Sequence, residues 1–227
     1  MKNKFKSRFL YAVCAIAMAS NAISAPVEGT GKPFSVLGEQ LQHAIPKGWK
    51  LAWMEGQPNG EYFVEYLPEA EDINSWREGY LAIRRLPSPN AAAMAQIEKS
   101  GAKLADVALF QFMKGAAQRC GGHHQAMSQR TDASNGVYLA VSGGYCDKYG
   151  SAAPFGEGSL IAYAQGKDYV FQIQYGWRPK SEADQKTNLP WHIAPETARQ
   201  YMEAIKASSL CGGSGQAACP PMAGAKE

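Results

Sequence analysis

The chain has 227 residues, of which 45% are hydrophobic and 19% charged, with 23 Lys and Arg against 20 Asp and Glu, four His and five Cys. That length suits one moderate domain and excludes a multidomain machine, and it allows roughly 70% of the unfolded surface to be buried without help from metal or crosslinks. The formal charge of +3 is too small and too scattered for a nucleic-acid protein, which keeps a basic stripe for phosphates.

Residues 1–22 read as a secretory signal peptide: Lys2, Lys4, Lys6 and Arg8 precede an uncharged apolar run from Phe9 to Met18, followed by small residues that suit cleavage after Ala22 or Ala19. The run covers about 16 Å as a helix against roughly 30 Å of hydrocarbon, so no transmembrane anchor is expected in the mature chain. Removing the segment takes away four basic residues and Cys14, which moves the charge from +3 to −1 and leaves four cysteines: Cys120, Cys146, Cys211 and Cys219. An even count in an exported chain argues for disulfides. Three pairings exist in principle, and closure of the nearest partners favours Cys120 with Cys146 and Cys211 with Cys219.

Residues 23–33 form an extended lead-in, and the ordered body starts near Phe34. Pro46-Lys-Gly-Trp49 is a turn into a strand at 50–54; Tyr62–Tyr66 and Tyr80–Arg85 follow as aromatic and β-branched strands. From Asn90 to Arg119 apolar residues recur every three or four positions, predicting one long helix or two in succession with a break at Gly101. Strands return at 137–141, 159–163 and 168–177. In the last of these Tyr169, Phe171, Ile173, Tyr175 and Trp177 alternate onto one face and Gln172 and Gln174 onto the other, a sheet with one buried and one more polar side. The compact turn at 165–168 favours an antiparallel hairpin. An amphipathic helix is expected within 196–210, then a flexible Gly- and Pro-rich tail, 211–227.

These elements predict an α+β or α/β/α sandwich over 34–210: a central, mostly antiparallel sheet packed by the middle helix region and the C-terminal helix. The Pro46-x-Gly48-Trp49 turn leading into a strand, with the later order of strands and helices, resembles the Mog1 and PsbP-like α/β/α sandwich proteins over about 34–210. The resemblance implies a protein-binding or assembly role and transfers no functional residue.

For chemistry, Arg119-Cys-Gly-Gly-His-His124 is the most tempting cluster. Cys120 with His123 or His124 has ligand-like spacing for zinc or copper, and a Cys–His pair can make a nucleophile. Only His43 and His192 remain to complete a site, and Cys120 is wanted for a disulfide. No His-Glu-x-x-His, paired Cys-x-x-Cys, Gly-x-Ser-x-Gly, Walker or Rossmann pattern is present. The sequence therefore predicts no cofactor and no catalytic set. Trp76 and Trp191, flanked by polar or Pro-rich residues, are the candidates for an exposed interaction surface, whereas Trp177 belongs to a buried strand face. The expectation is a periplasmic or secreted accessory domain with an extracytoplasmic protein partner, no nucleic acid and an open oligomeric state. A periplasmic hydrolase and a small-ligand or metal-binding protein are the competing classes.

Overall fold

A computed structural model describes residues 33–220; the signal segment and most of the lead-in lie outside that range. The expected sandwich is the architecture found. Its centre is an eight-stranded antiparallel sheet in the order β2-β3-β4-β9-β8-β7-β5, with β6 also on β7. The strands are β2 (Trp49–Gly56), β3 (Tyr62–Pro68), β4 (Tyr80–Pro87), β5 (His124–Ala126), β6 (Arg130–Ser134), β7 (Val137–Cys146), β8 (Glu157–Gln165) and β9 (Tyr169–Trp177). A small two-stranded ladder joins β1 (Gln40–Gln42) to β10 (Ser209–Cys211).

The long helical period resolves into α1 (Ala91–Lys99) and α2 (Leu104–Arg119). Asn90 caps α1 by accepting from the Ala93 amide at 3.0 Å, and Gly101 takes left-handed backbone at φ +76°, which ends the first helix at little steric cost. Leu104, Ala105, Ala108 and Leu109 then recur at helical spacing and are buried against Ala140, Ile161, Tyr163 and Val170 of the sheet. The other face carries α4 (Pro195–Lys206), whose Tyr201 and Ile205 join the main core of Val64, Leu81, Leu139, Phe171, Ile173 and Tyr175. A short α3 (Glu182–Gln185) lies in the connection between β9 and α4.

Strand β9 shows how the two layers share one strand. Phe171, Ile173, Tyr175 and Trp177 enter the main core, as their alternation predicts. The opposite side is not solvated as a half-polar sheet would be, because Val170 is buried under the helix pair and Gln172 beside it is buried too. Two glycines permit close packing here. A Cβ at Gly158 would stand 2.1 Å from the Trp177 ring, and one at Gly176 would stand 2.1 Å from the Tyr80 ring.

The chain remains part of the body beyond Leu210. Cys211 pairs with Gln40 in the small ladder and is 2% exposed, and the Gln216 amide donates to Glu39 at 3.1 Å. Backbone pairing and a crosslink thus hold the start of a segment whose composition alone reads as a tail. Residues 221–227 lie outside the described range.

Candidate functional site

The first bridge, Cys120–Cys146, joins the C-terminal end of α2 to the last residue of β7, and the second, Cys211–Cys219, closes the segment after β10. Both are the nearest-partner pairs expected. Their formation decides the Cys-His cluster. The ligand-type atoms of Cys120, Cys146 and Asp147 lie within 4.8 Å of one another, but the two sulfurs are bonded to each other and offer no thiolate to a metal or a carbonyl. Asp147 instead accepts from the His123 amide at 2.7 Å. His124 sits in β5 opposite Cys146, and burial lowers its pKa, with the neighbouring His123 adding to the shift.

The histidines serve separate structural contacts. His43 bonds Ser208 Oγ at 2.8 Å through Nδ1 and Tyr175 Oη at 2.7 Å through Nε2. A Ser–His contact is the start of a hydrolytic arrangement, yet Ser208 is 1% exposed and the pair is enclosed by the main core. Desolvation pushes His43 down to about 4, so it is neutral there. His192 packs its ring on Tyr145 with centroids 4.2 Å apart.

Trp76 is a correction. It is 7% exposed, edge-on to Tyr80 with centroids 4.5 Å apart and covered by the Arg178 guanidinium 3.6 Å from its ring centre. Arg178 is held by Glu157 at 2.8 Å, a pair with both side chains largely buried. The polar neighbours of Trp76 in sequence form a loop that folds over the ring, which residue-by-residue polarity does not disclose. Trp191, in a 3-10 turn at Pro190–His192, is half-buried on the opposite layer and packs against the main core.

A large cavity lies where the helix pair stops. α1 and α2 cover the sheet near β7 and β8, and a cleft of about 810 Å3 opens between α2 and strands β4 and β9. That is within the range of about 300–1,000 Å3 usual for ligand sites. Phe63, Phe112 and Tyr163 supply its aromatic surfaces, and Arg84, Gln172 and Gln174 its polar ones. The floor is a linked chain: Tyr163 Oη donates to Gln172 Oε1 at 3.3 Å, Gln172 Nε2 donates to Gln174 Oε1 at 3.0 Å, and Gln174 Nε2 donates to Tyr80 Oη. Each amide has a second N–H and a second lone pair beyond these bonds.

Arg84 lies over the Phe63 ring at 5.2 Å. Its Nε is buried without a hydrogen-bond acceptor, and the Glu61 carboxylate stands 3.5 Å away, close enough for charge attraction but outside hydrogen-bond geometry. Arg119 marks the α2 end of the cleft. Glu65, on the same sheet face, is held up at about 7 by burial and by Glu55, against the opposing effect of Arg84. Gln172 and Gln174 were legible as one polar strand face; Arg84 and Phe112, far apart in sequence, had no shared signal.

No family model matches the chain, and no curated protein matches it in sequence. Among solved structures it is similar to LpqN, involved in cell envelope biogenesis of Mycobacterium tuberculosis, with 13% identity over 76% of this chain and 84% of that one and a TM-score of 0.39. Among the described residues no helix is long and apolar enough to cross a membrane.

Proposed function

We propose that the protein is an extracytoplasmic, non-catalytic accessory domain that holds an extended segment of a partner protein in the cleft beside α2. The observation that carries this reading is the union in one cleft of aromatic walls, an amide-lined floor and a guanidinium Nε without an acceptor. An extended peptide presents alternating backbone N–H and C=O groups, which side-chain amides match in kind. An acidic side chain on the segment supplies the acceptor that Arg84 lacks and faces Arg119 at the cleft's end. The apolar residues of the segment lie on Phe63, Phe112 and Tyr163, the residue types that dominate recognition energy. Export is supported by the basic and apolar N-terminus and by two disulfides, which persist in oxidising compartments.

Panning the mature protein against a displayed library of random dodecamers tests this. Peptides with acidic and aromatic or aliphatic residues should be enriched, and Arg84→Gln and Phe112→Ala should each weaken the enriched peptides about tenfold or more. Enriched peptides indifferent to both substitutions, or no enrichment at all, would overturn it.

A further inference from the structure

On the other side of the sheet a separate cavity of about 420 Å3 lies between α4, the 3-10 turn and the chain joining β5 to β6. Met127, Leu160, Trp177, Trp191, Ile193 and Met202 make its surface predominantly apolar. Two methionines give walls that adapt to an occupant. Polar side chains on these walls are few, and Ser142 Oγ already donates to the Met127 carbonyl at 3.0 Å.

Two features set this cavity apart from a packing gap. Trp191 Nε1 is buried and has no acceptor, an unfavourable state for a polar group removed from water. The residue also sits at φ 50° and ψ 20°, and His192 follows at φ 57°, backbone that bulky L-residues rarely adopt. The turn is fixed from below, because Trp177 Nε1 donates to the Trp191 carbonyl at 2.9 Å. The turn that places Trp191 in the cavity wall is therefore held. The second feature is charge: Arg130 and Arg199 line the same cavity. Arg199 is tied to Glu196 and Glu203; Arg130, which is exposed, has no carboxylate within ion-pair distance among the described residues.

We infer that this cavity binds a linear fatty acid, its chain against the methionines and Leu160 and its carboxylate meeting the donors of Trp191 and Arg130. A peptide would bring a backbone of donors and acceptors that these walls cannot satisfy, whereas a fatty acid brings one acceptor group and a wholly apolar body. The site lies on the opposite layer from the cleft beside α2, so it stands or falls independently of the peptide-binding reading.

Titration of the mature, oxidised protein with decanoate, read by the indole N–H cross-peaks in a nitrogen-15 correlation spectrum, tests the assignment. The Trp191 peak, identified by its loss in Trp191→Phe, should move downfield with saturation. Each methylene added from hexanoate to decanoate should tighten binding about threefold to fourfold. Decanol should bind at least tenfold more weakly than decanoate, and Arg130→Gln should remove most of that difference without altering the decanol affinity. Ala198→Phe, which fills the cavity from α4, should abolish binding while leaving peptide capture at the other cleft intact. Arg130→Gln keeps the test decisive even for a chain that does not tolerate the filled cavity, because the residue is on the surface. An unmoved Trp191 peak, equal affinity for decanoate and decanol, or binding unchanged in Arg130→Gln would overturn the proposal.

Discussion

The two faces of the sheet are built from the same strands but closed to different degrees. On the α4 face the helix and the 3-10 turn pack on the main core, and polar groups away from the cavity at Trp191 find partners inside the protein. Arg85 is fully buried there, yet its guanidinium donates to the carbonyls of Gly60, Leu37, Glu39 and Pro58 at 2.7–3.0 Å and stacks on Tyr62 and Tyr169. It thereby ties the segment before β1 and the β2–β3 loop to β4. On the α1–α2 face the helices cover only part of the sheet, and Arg84, one residue away on the same strand, points the other way and keeps a donor without an acceptor. Neighbouring arginines of one strand thus close the structure on one side and line a cleft on the other, because alternate residues of a strand face opposite layers.

The comparison is sharpest in core deletions. Phe171→Ala on the sealed face should cost about 3–5 kcal/mol, while Gln172→Leu, its neighbour on the cleft floor, should cost about 1–3 kcal/mol by leaving Tyr163 and Gln174 without their partner and should impair peptide capture. Urea denaturation of the two variants measures this, and equal losses would show that the open face is as structural as the sealed one.

Next in size are the crosslinks. Loop-closure entropy assigns about 3.5 kcal/mol to the Cys120–Cys146 loop and about 2.5 kcal/mol to Cys211–Cys219. Replacing each pair with alanine and comparing denaturation midpoints should give that order. A reversed order would mean that the β1–β10 ladder depends on the second bridge more than its short loop implies.

The faces should also respond to pH in opposite directions. His43 on the sealed face has a folded pKa of about 4 against an unfolded value of 6.5. The unfolded chain therefore binds the extra proton, and the His43 contribution is complete above pH 6.5 and lost as the pH falls toward 4, by about 2–3 kcal/mol. His43→Gln should flatten that acid limb. Glu65 on the open face has a folded value of about 7 against 4.5, so the folded chain binds the extra proton and stability falls as pH rises from 4.5 through 7. Glu65→Gln should stabilise the protein at pH 8 and do little at pH 5, a smaller effect because the side chain is only partly enclosed. Melting curves at both pH values read the two signs, and matching signs would contradict the assigned environments.

Much of this was legible along the chain. The alternation in 169–177, the start of the helical period at Asn90 with its break at Gly101, and the local pairing of cysteines each depend on residues close in sequence, and each is found. Trp76 is buried against expectation because its covering groups, Arg178 and Tyr80, come from other elements. The edge strands β5 and β6 carry few apolar residues and are specified by pairing with β7, and β1 and β10 are three residues each and meet only across the fold.

The amino-acid order alone marked the longer strands and the helices and the short separations of Cys120 from Cys146 and of Cys211 from Cys219, since periodicity, capping and spacing are local properties. The tertiary structure decided what those elements leave uncovered. Helix α2 ends at Arg119 with its bridge to β7, short of β3 and β4, and that shortfall places Phe112, Arg84 and Gln174 around one cleft. Such a site is a difference between the area of a sheet and the reach of its helices, a quantity that no single segment carries.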